Sequence, residues 1–303
     1  MTKNKIIVLL GGNSKERSVS IQSGEACYNA LKEMGYSVFK FDPRTNISNK
    51  LKLIKPDIVF NCLHGKFGED GKIQKILEKL KIPYTHSGVI SSEIAMDKIK
   101  SKKFFIKNKI LTPDYKVIRK IKDINNYLSK KKFIIKPFNE GSSVGVKIFD
   151  KITKKNLKSI IKLLKEYKKL IQEEFIEGKE VQSAILGKHK LGAIEIIPKR
   201  KFYDFKAKYS FSAKTKHVMP AKIKKKLYNK LNNIALKAHR AIGCKGVTRS
   251  DFRVSKNGKI YLLEINTQPG MTKLSLVPEI AGHYGMSFNQ LVKWILQDAS
   301  IKR

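Results

Sequence analysis

The chain is 303 residues long, 41% hydrophobic and 9% aromatic, a composition able to bury substantial cores in two or three globular domains. Its formal net charge of +39 would suit a nucleic-acid or anionic-membrane partner, but the lysines intersperse with isoleucine and leucine at helical spacing, as a solvated face does. With no helix-turn-helix, zinc-finger or aromatic RNA-binding signature and no apolar run of about 18 residues, neither nucleic acid nor membrane is expected as a partner. A lysine-for-arginine bias explains the charge more simply. Residues 1–10 run straight into a strand-like segment in place of a cleavable signal, so a cytoplasmic location is expected. Cys27, Cys62 and Cys244 are widely spaced and form no Cys-x-x-Cys pair, as expected of reduced packing residues.

In chain order, strand-like runs at 5–10, 37–41 and 57–60 alternate with amphipathic stretches at 18–34 and 71–80. That alternation predicts β-α-β units and a parallel sheet. A lysine-rich helix follows from about residue 91, then strands at 116–118 and 133–136, a Gly/Ser turn at 141–145 and a strand at 146–149. The stretch 154–170 reads as a helix, with Leu157, Ile160, Ile161 and Leu164 on its apolar face. Further strands are expected at 170–175, 180–185, 190–197, 246–254 and 259–265. The expected fold class is α/β with α+β parts, in three segments, 1–95, 96–180 and 181–303.

The strongest constellation lies between Arg249 and Asn266. Asn257-Gly258, flanked by strand-like runs, predicts a two-residue hairpin turn, which would set Asp251 opposite Glu264 and Arg249 opposite Asn266. One sheet face would then gather an arginine, two carboxylates and an amide, with Ile260 and Leu262 on the same side as Glu264. A cross-strand polar ladder on a wet face is the plainer reading, but it fits poorly with the abrupt change of polarity at Glu264. Carboxylate oxygens beside an arginine suit Mg²⁺ bound to a polyphosphate.

Lys136-Pro-Phe-Asn-Glu140-Gly-Ser142-Ser-Val-Gly145 joins two strands and lacks the P-loop pattern. Its small residues suit a lid whose backbone N–H groups fold over phosphates; standing alone, the segment would be an ordinary glycine turn. Gly11-Gly12 and the following residues form a strand-to-helix loop without a dinucleotide fingerprint. Glu16 beside it can hold an ammonium group, or equally serve the helix dipole. His64 follows a similar strand, where a lone histidine is more often structural.

Nine motifs in order make the sequence resemble the D-alanine–D-alanine ligases along nearly its whole length. They are Gly11-Gly12-x-Ser14-x-Glu16-Arg17-x-Val-Ser20, His64-Gly-x-x-Gly-Glu-Asp-Gly71, Met96-Asp-Lys98, Lys136-Pro, Glu140-Gly-Ser-Ser-Val-Gly145, Phe202-Tyr-Asp-x-x-x-Lys208-Tyr209, Arg249-x-Asp251-Phe, Leu263-Glu264-x-Asn266-Thr-x-Pro-Gly-Met-Thr272 and Ser275-Leu-Val-Pro278. The resemblance implies a three-domain ATP-grasp fold with an N-terminal parallel-sheet substrate domain, ATP between the central and C-terminal domains, and a homodimer. It also implies D-alanine and ATP as substrates and two Mg²⁺ (or Mn²⁺) ions as cofactors.

Carried over residue by residue, the resemblance makes Lys98, Lys136 and Lys208 phosphate contacts, and Glu173 and Glu180 adenine and ribose contacts. Asp251, Glu264 and Asn266 become metal ligands, and Arg249 a stabiliser of the tetrahedral oxyanion. Glu16 would bind the first D-alanine's ammonium with His64 nearby, and Ser275 with the Gly270 backbone the second substrate's carboxylate. Glu16, Ser142 and Tyr209 would form a hydrogen-bonded triad linking two loops over the site. An acceptor such as D-lactate is the nearest alternative; Tyr209 favours the amine, since ester-forming relatives usually carry phenylalanine there. Gln268 and Ser250 differ from the family pattern and are expected to point away from the site face.

Overall fold

The computed structural model of the chain describes residues 4–198 and 215–303. Three parallel strands, β1 (Lys5–Leu9), β2 (Ser37–Phe41) and β3 (Ile58–Asn61), form the first sheet in the order β2-β1-β3. The central strand is apolar at successive positions because both of its faces are covered. Ile6 and Val8 enter one core with Cys27 and Leu31 of α1 (Arg17–Glu33). Ile7 and Leu9 enter another with Leu51 of α2 (Ile47–Ile54) and with Ile73 and Leu77 of α3 (Lys72–Lys79). The sequence reading missed α2, a short helix that buries only Ile47 and Leu51.

Helices α4 (Val89–Met96) and α5 (Lys98–Lys107) lead to an antiparallel second sheet. Its strands are β4 (Tyr115–Ile118), β5 (Phe133–Pro137), β6 (Lys147–Phe149) and β7 (Leu170–Glu174), in the order β4-β7-β5-β6. Covering it is α6 (Lys154–Tyr167), which buries Ile160 and Leu163 and leaves Ile161 exposed. The apolar stripe thus includes Leu163 in place of Ile161, and the lysines lie around it on the wet side.

The third sheet runs β10-β9-β8-β11-β12, comprising β8 (Gly178–Leu186), β9 (His189–Ile197), β10 (Lys216–Val218), β11 (Val247–Ser255) and β12 (Ile260–Asn266). On one face, α7 (Lys225–Ile242) packs with α4 and α5 over Ile185, Phe252 and Leu262. Over the other, Val277 and Ile280 of α8 (Leu276–His283) and Leu291 and Ile295 of α9 (Phe288–Gln297) meet Ala184, Ile194 and the Ile6–Val8 face of the first sheet. Truncating one of these buried leucines to alanine would cost about 2–5 kcal/mol. Cys27, Cys62 and Cys244 are buried thiols.

Candidate active site

The β11–β12 hairpin closes with three residues, Lys256-Asn257-Gly258, and the expected two-residue turn does not form. Ser255 N–H donates to Lys259 O at 2.9 Å, Gly258 N–H to Ser255 O at 2.9 Å, and Gly258 has φ +79°. Side chains favour the longer loop: Ser255 Oγ donates to Asn257 Oδ1 at 2.6 Å and accepts from Lys259 N–H at 3.1 Å. Near the loop the pairs are Val254–Ile260, Arg253–Tyr261 and Phe252–Leu262; beyond it they become Asp251–Glu264 and Arg249–Asn266.

Between these groups β12 carries one residue more than β11, a bulge at Leu263 that corrects the register. Ile260, Leu262 and Ile265 therefore enter the core, and they do not share a side with Glu264 as expected. The predicted facing pairs are nonetheless present. Arg249 holds Asp251 in a bidentate ion pair, Nε to Oδ1 at 2.7 Å and Nη2 to Oδ2 at 3.0 Å.

Lys98, capped into the first turn of α5 by Asp97, reaches Glu264 Oε2 at 3.2 Å and donates to Glu140 O at 2.6 Å. It stands where two cavities adjoin. The larger, of about 780 Å³, is lined by Lys98, Lys136, Glu173, Glu180, Asp251 and Glu264, together with an apolar set that sequence reasoning missed: Ile134, Val146, Phe175, Ile176 and Leu263. The smaller, of about 530 Å³, is lined by Glu16, Ser142, Arg249, Glu264 and Asn266 and also touches Lys98 and Glu140. One cavity thus combines apolar walls with cations and carboxylates, and the other is a small polar chamber. Asp251, Glu264 and Asn266 supply the hard oxygen donors that Mg²⁺ takes, and Asn266 Oδ1, which accepts from Gln268 N–H at 2.7 Å, keeps a second lone pair.

Inside the larger cavity Lys136 Nζ contacts Glu173 Oε2 at 2.8 Å, and Lys102 Nζ lies 3.3 Å from Oε1. Burial pushes the Glu173 carboxyl up, but the two ammonium groups outweigh it and hold the group below its ordinary value. Burial lowers the Lys102 ammonium to about 8 against the pull of Glu173. Lys102 was missed by sequence reasoning; its signal is the i+4 spacing from Lys98 on one helix face. Glu180 pairs with Arg253 at 3.2 Å across neighbouring strands.

Glu16 is the N-cap of α1, but its side chain makes no capping bond and accepts one from Ser142 Oγ. The close approach requires Gly141, where a Cβ would lie 2.7 Å from Glu16 Oε1. Ser14 positions Glu16 by donating to His64 O at 2.6 Å and accepting from Glu16 N–H at 3.1 Å. The 141–145 segment joins β5 to β6 as expected, with Ser142, Ser143 and Gly145 at positive φ.

His64, Gly270 and Ser275 form a layer beside the smaller cavity without lining it. His64 Nε2 meets Ser23 Oγ at 3.0 Å and Nδ1 meets Glu69 Oε1 at 3.0 Å, while Ser23 Oγ accepts from Met271 N–H at 3.0 Å. A ring carrying its hydrogen on Nδ1 satisfies all three bonds. Ser275 Oγ accepts from Thr272 N–H at 2.9 Å, and a Cβ on Gly270 would lie 2.9 Å from that oxygen. Gln268 accepts from Asn61 Nδ2 at 2.7 Å and donates to Leu63 O, so it points away from the site and ties the 266–270 segment to the end of β3. Ser250 is buried on the face opposite Asp251, also as expected. Lys208 and Tyr209 lie outside the described residues.

The D-ala D-ala ligase C-terminus family matches residues 102–297, and the D-ala D-ala ligase N-terminus family residues 39–87. A D-alanine–D-alanine ligase of Pelagibacter ubique is 56% identical over 100% of both chains. The chain belongs to the D-alanine–D-alanine ligase family. It is a ligase of ATP-grasp fold: a D-alanine–D-alanine ligase of Bacillus anthracis has a TM-score of 0.85 at 33% identity, with 97% of each chain covered. The VanG D-Ala:D-Ser ligase of Enterococcus faecalis has a TM-score of 0.83 at 28% identity, covering 98% of this chain and 99% of that one.

Proposed function

We propose that the chain couples ATP cleavage to the joining of two D-alanines into D-alanyl-D-alanine for peptidoglycan precursor synthesis. The observation that carries this reading is the junction of the two cavities at Lys98, Glu140 and Glu264, because a carboxylate must meet the γ-phosphate to become an acyl phosphate. Lys98, Lys136 and Lys208 hold the phosphates, and Glu173 and Glu180 take the base and ribose. Asp251, Glu264 and Asn266 would hold two Mg²⁺ ions, which supply charge neutralisation at the phosphates when bound. Glu16 binds the ammonium of the first D-alanine, with His64 fixing the adjacent layer through Ser23.

The first carboxylate attacks the γ-phosphorus and releases ADP; the second amine then attacks the acyl carbon, a proton leaves the nitrogen, and phosphate departs. Arg249 stabilises the tetrahedral oxyanion, and Ser275 with the Gly270 backbone orients the second carboxylate. Glu16, Ser142 and Tyr209 close the chamber against water, which would otherwise hydrolyse the acyl phosphate. The ATP-grasp reading divides the chain at about residues 95 and 180. The resemblance further supports a cytoplasmic homodimer, and no described helix is long and apolar enough to cross a membrane.

A coupled assay of ADP release tests the proposal. D-alanine should support turnover with stoichiometric dipeptide, while L-alanine should not. ADP release without D-alanyl-D-alanine would refute it, as would equal use of L-alanine.

A further inference from the structure

The ATP reading gives the buried charge of Lys102 no part to play. Lys102 on α5 has no exposed surface and lines neither cavity. Its ammonium donates to Thr112 Oγ1 at 2.6 Å and to Pro113 O at 3.2 Å, and lies 5.4 Å from the centre of the Tyr115 ring. These bonds fix it in place 3.3 Å from Glu173 Oε1. Glu173 does line the larger cavity, and among the described residues its buried Oε1 has the Lys102 ion pair but no hydrogen bond. Such an oxygen is an acceptor waiting for a donor from a bound molecule.

Two ammonium groups share this one carboxylate, and they differ in freedom. Lys136 lines the cavity and can turn toward a phosphate; Lys102 cannot leave. Were Lys136 the only counter-ion, engaging phosphate would strand a buried anion, which would take up a proton or pull Lys136 back.

We propose that Lys102 is a positioning residue for nucleotide choice: a fixed counter-ion that keeps Glu173 ionised while Lys136 engages phosphate, so that the base meets an acceptor-only carboxylate and a 6-amino purine is selected over a 6-oxo purine. The inference rests on the ATP reading above. A carboxylate accepts hydrogen bonds and donates none, so a 6-amino group satisfies Oε1 whereas a 6-oxo group sets acceptor against acceptor in a buried site. A protonated Glu173, or a glutamine, would accept either base.

The test is steady-state kinetics with ATP and GTP at saturating D-alanine, alongside thermal melting, for the wild type, Lys102→Met, Glu173→Gln and the double variant. The wild type should prefer ATP by at least about 100-fold in kcat/KM. Lys102→Met should shrink that preference at least about tenfold, chiefly through KM for ATP, with KM for D-alanine within about twofold of wild type. Glu173→Gln should relax the preference similarly, and adding Lys102→Met to it should change the ratio no further. Because the double variant removes the Lys102 and Glu173 charges together and leaves only Lys136, which lines the cavity, it keeps the comparison available if Lys102→Met alone does not fold.

Equal loss with both nucleotides in Lys102→Met overturns the proposal, as does a further tenfold change of the ratio in the Glu173→Gln background, or a wild type indifferent to the base. Absence of any D-alanine-dependent ADP release from the wild type sinks the ATP reading itself and is distinguishable from all of these.

Discussion

Asp251 and Glu264 face each other across β11 and β12 because β12 carries one residue more than its partner between the loop and this pair. Without the bulge at Leu263, Glu264 would follow Ile260 and Leu262 into the core. The bulge brings Glu264 to the side of Asp251, and both carboxylates line the larger cavity.

If these carboxylates hold the metal ions, Glu264→Gln and Asp251→Asn should each lower kcat at least about 100-fold with a melting temperature near wild type. Asn266→Asp keeps an oxygen and should be milder. Turnover of Glu264→Gln at the wild-type rate across a Mg²⁺ titration would remove the residue from the metal site.

The bond from Ser142 Oγ to Glu16 joins the 141–145 loop to the N-terminal segment. Small residues at positive φ provide little packing, so closure should depend on such contacts and on ligands. Amide exchange in residues 140–145 should slow when ATP and D-alanine are both bound, and Ser142→Ala should lower kcat by about tenfold or more. Equal protection in the free and fully liganded chain would show that this loop is no lid.

The family resemblance proposes Tyr209 as the residue that sets acceptor choice. A D-alanine amine must lose a proton to attack, whereas D-lactate offers a neutral hydroxyl, so a polar group beside the nucleophile can discriminate between them. Tyr209→Phe should admit ester formation from D-lactate, eroding the discrimination by on the order of 1–3 kcal/mol. The ratio of dipeptide to D-alanyl-D-lactate from pH 6 to 9 decides the point; an unchanged ratio would leave Tyr209 with loop closure alone.

Asp42 fixes the Gly11-Gly12 turn by accepting from Gly12 N–H at 2.9 Å and pairing with Arg17 at 2.7 Å. The Arg17 guanidinium holds its carboxyl down at about 2. A depressed carboxyl stabilises the fold above its ordinary value, and that contribution is lost as pH falls through the folded value. Asp42→Asn should therefore lower Tm by about 2–4 °C at pH 7, a modest effect because the pair is partly exposed. The gap between variant and wild type should close between about pH 4 and pH 2. A gap that stays constant on acidification would rule out the ion pair as its source.

By itself the sequence determined what local pattern dictates. Alternating apolar runs set the parallel first sheet, and two strand-like runs around Asn257 set a hairpin that pairs Asp251 with Glu264. Ordered motifs carried the family, because each names a backbone or charge requirement at a fixed spacing. Tertiary structure decided what depends on partners far along the chain. The three-residue loop and the Leu263 bulge are offsetting deviations that keep the same pairing, so the pairing alone could not reveal them. The sequence left Glu16 open between a helix dipole and a site; the 141–145 loop, far along the chain, places Ser142 on its side chain, which makes no capping bond. Lys102 reads as one more lysine in a lysine-rich helix; only the strand that buries Glu173 against it makes that charge a counter-ion, since the strength of a charge pair is set by the water excluded around it.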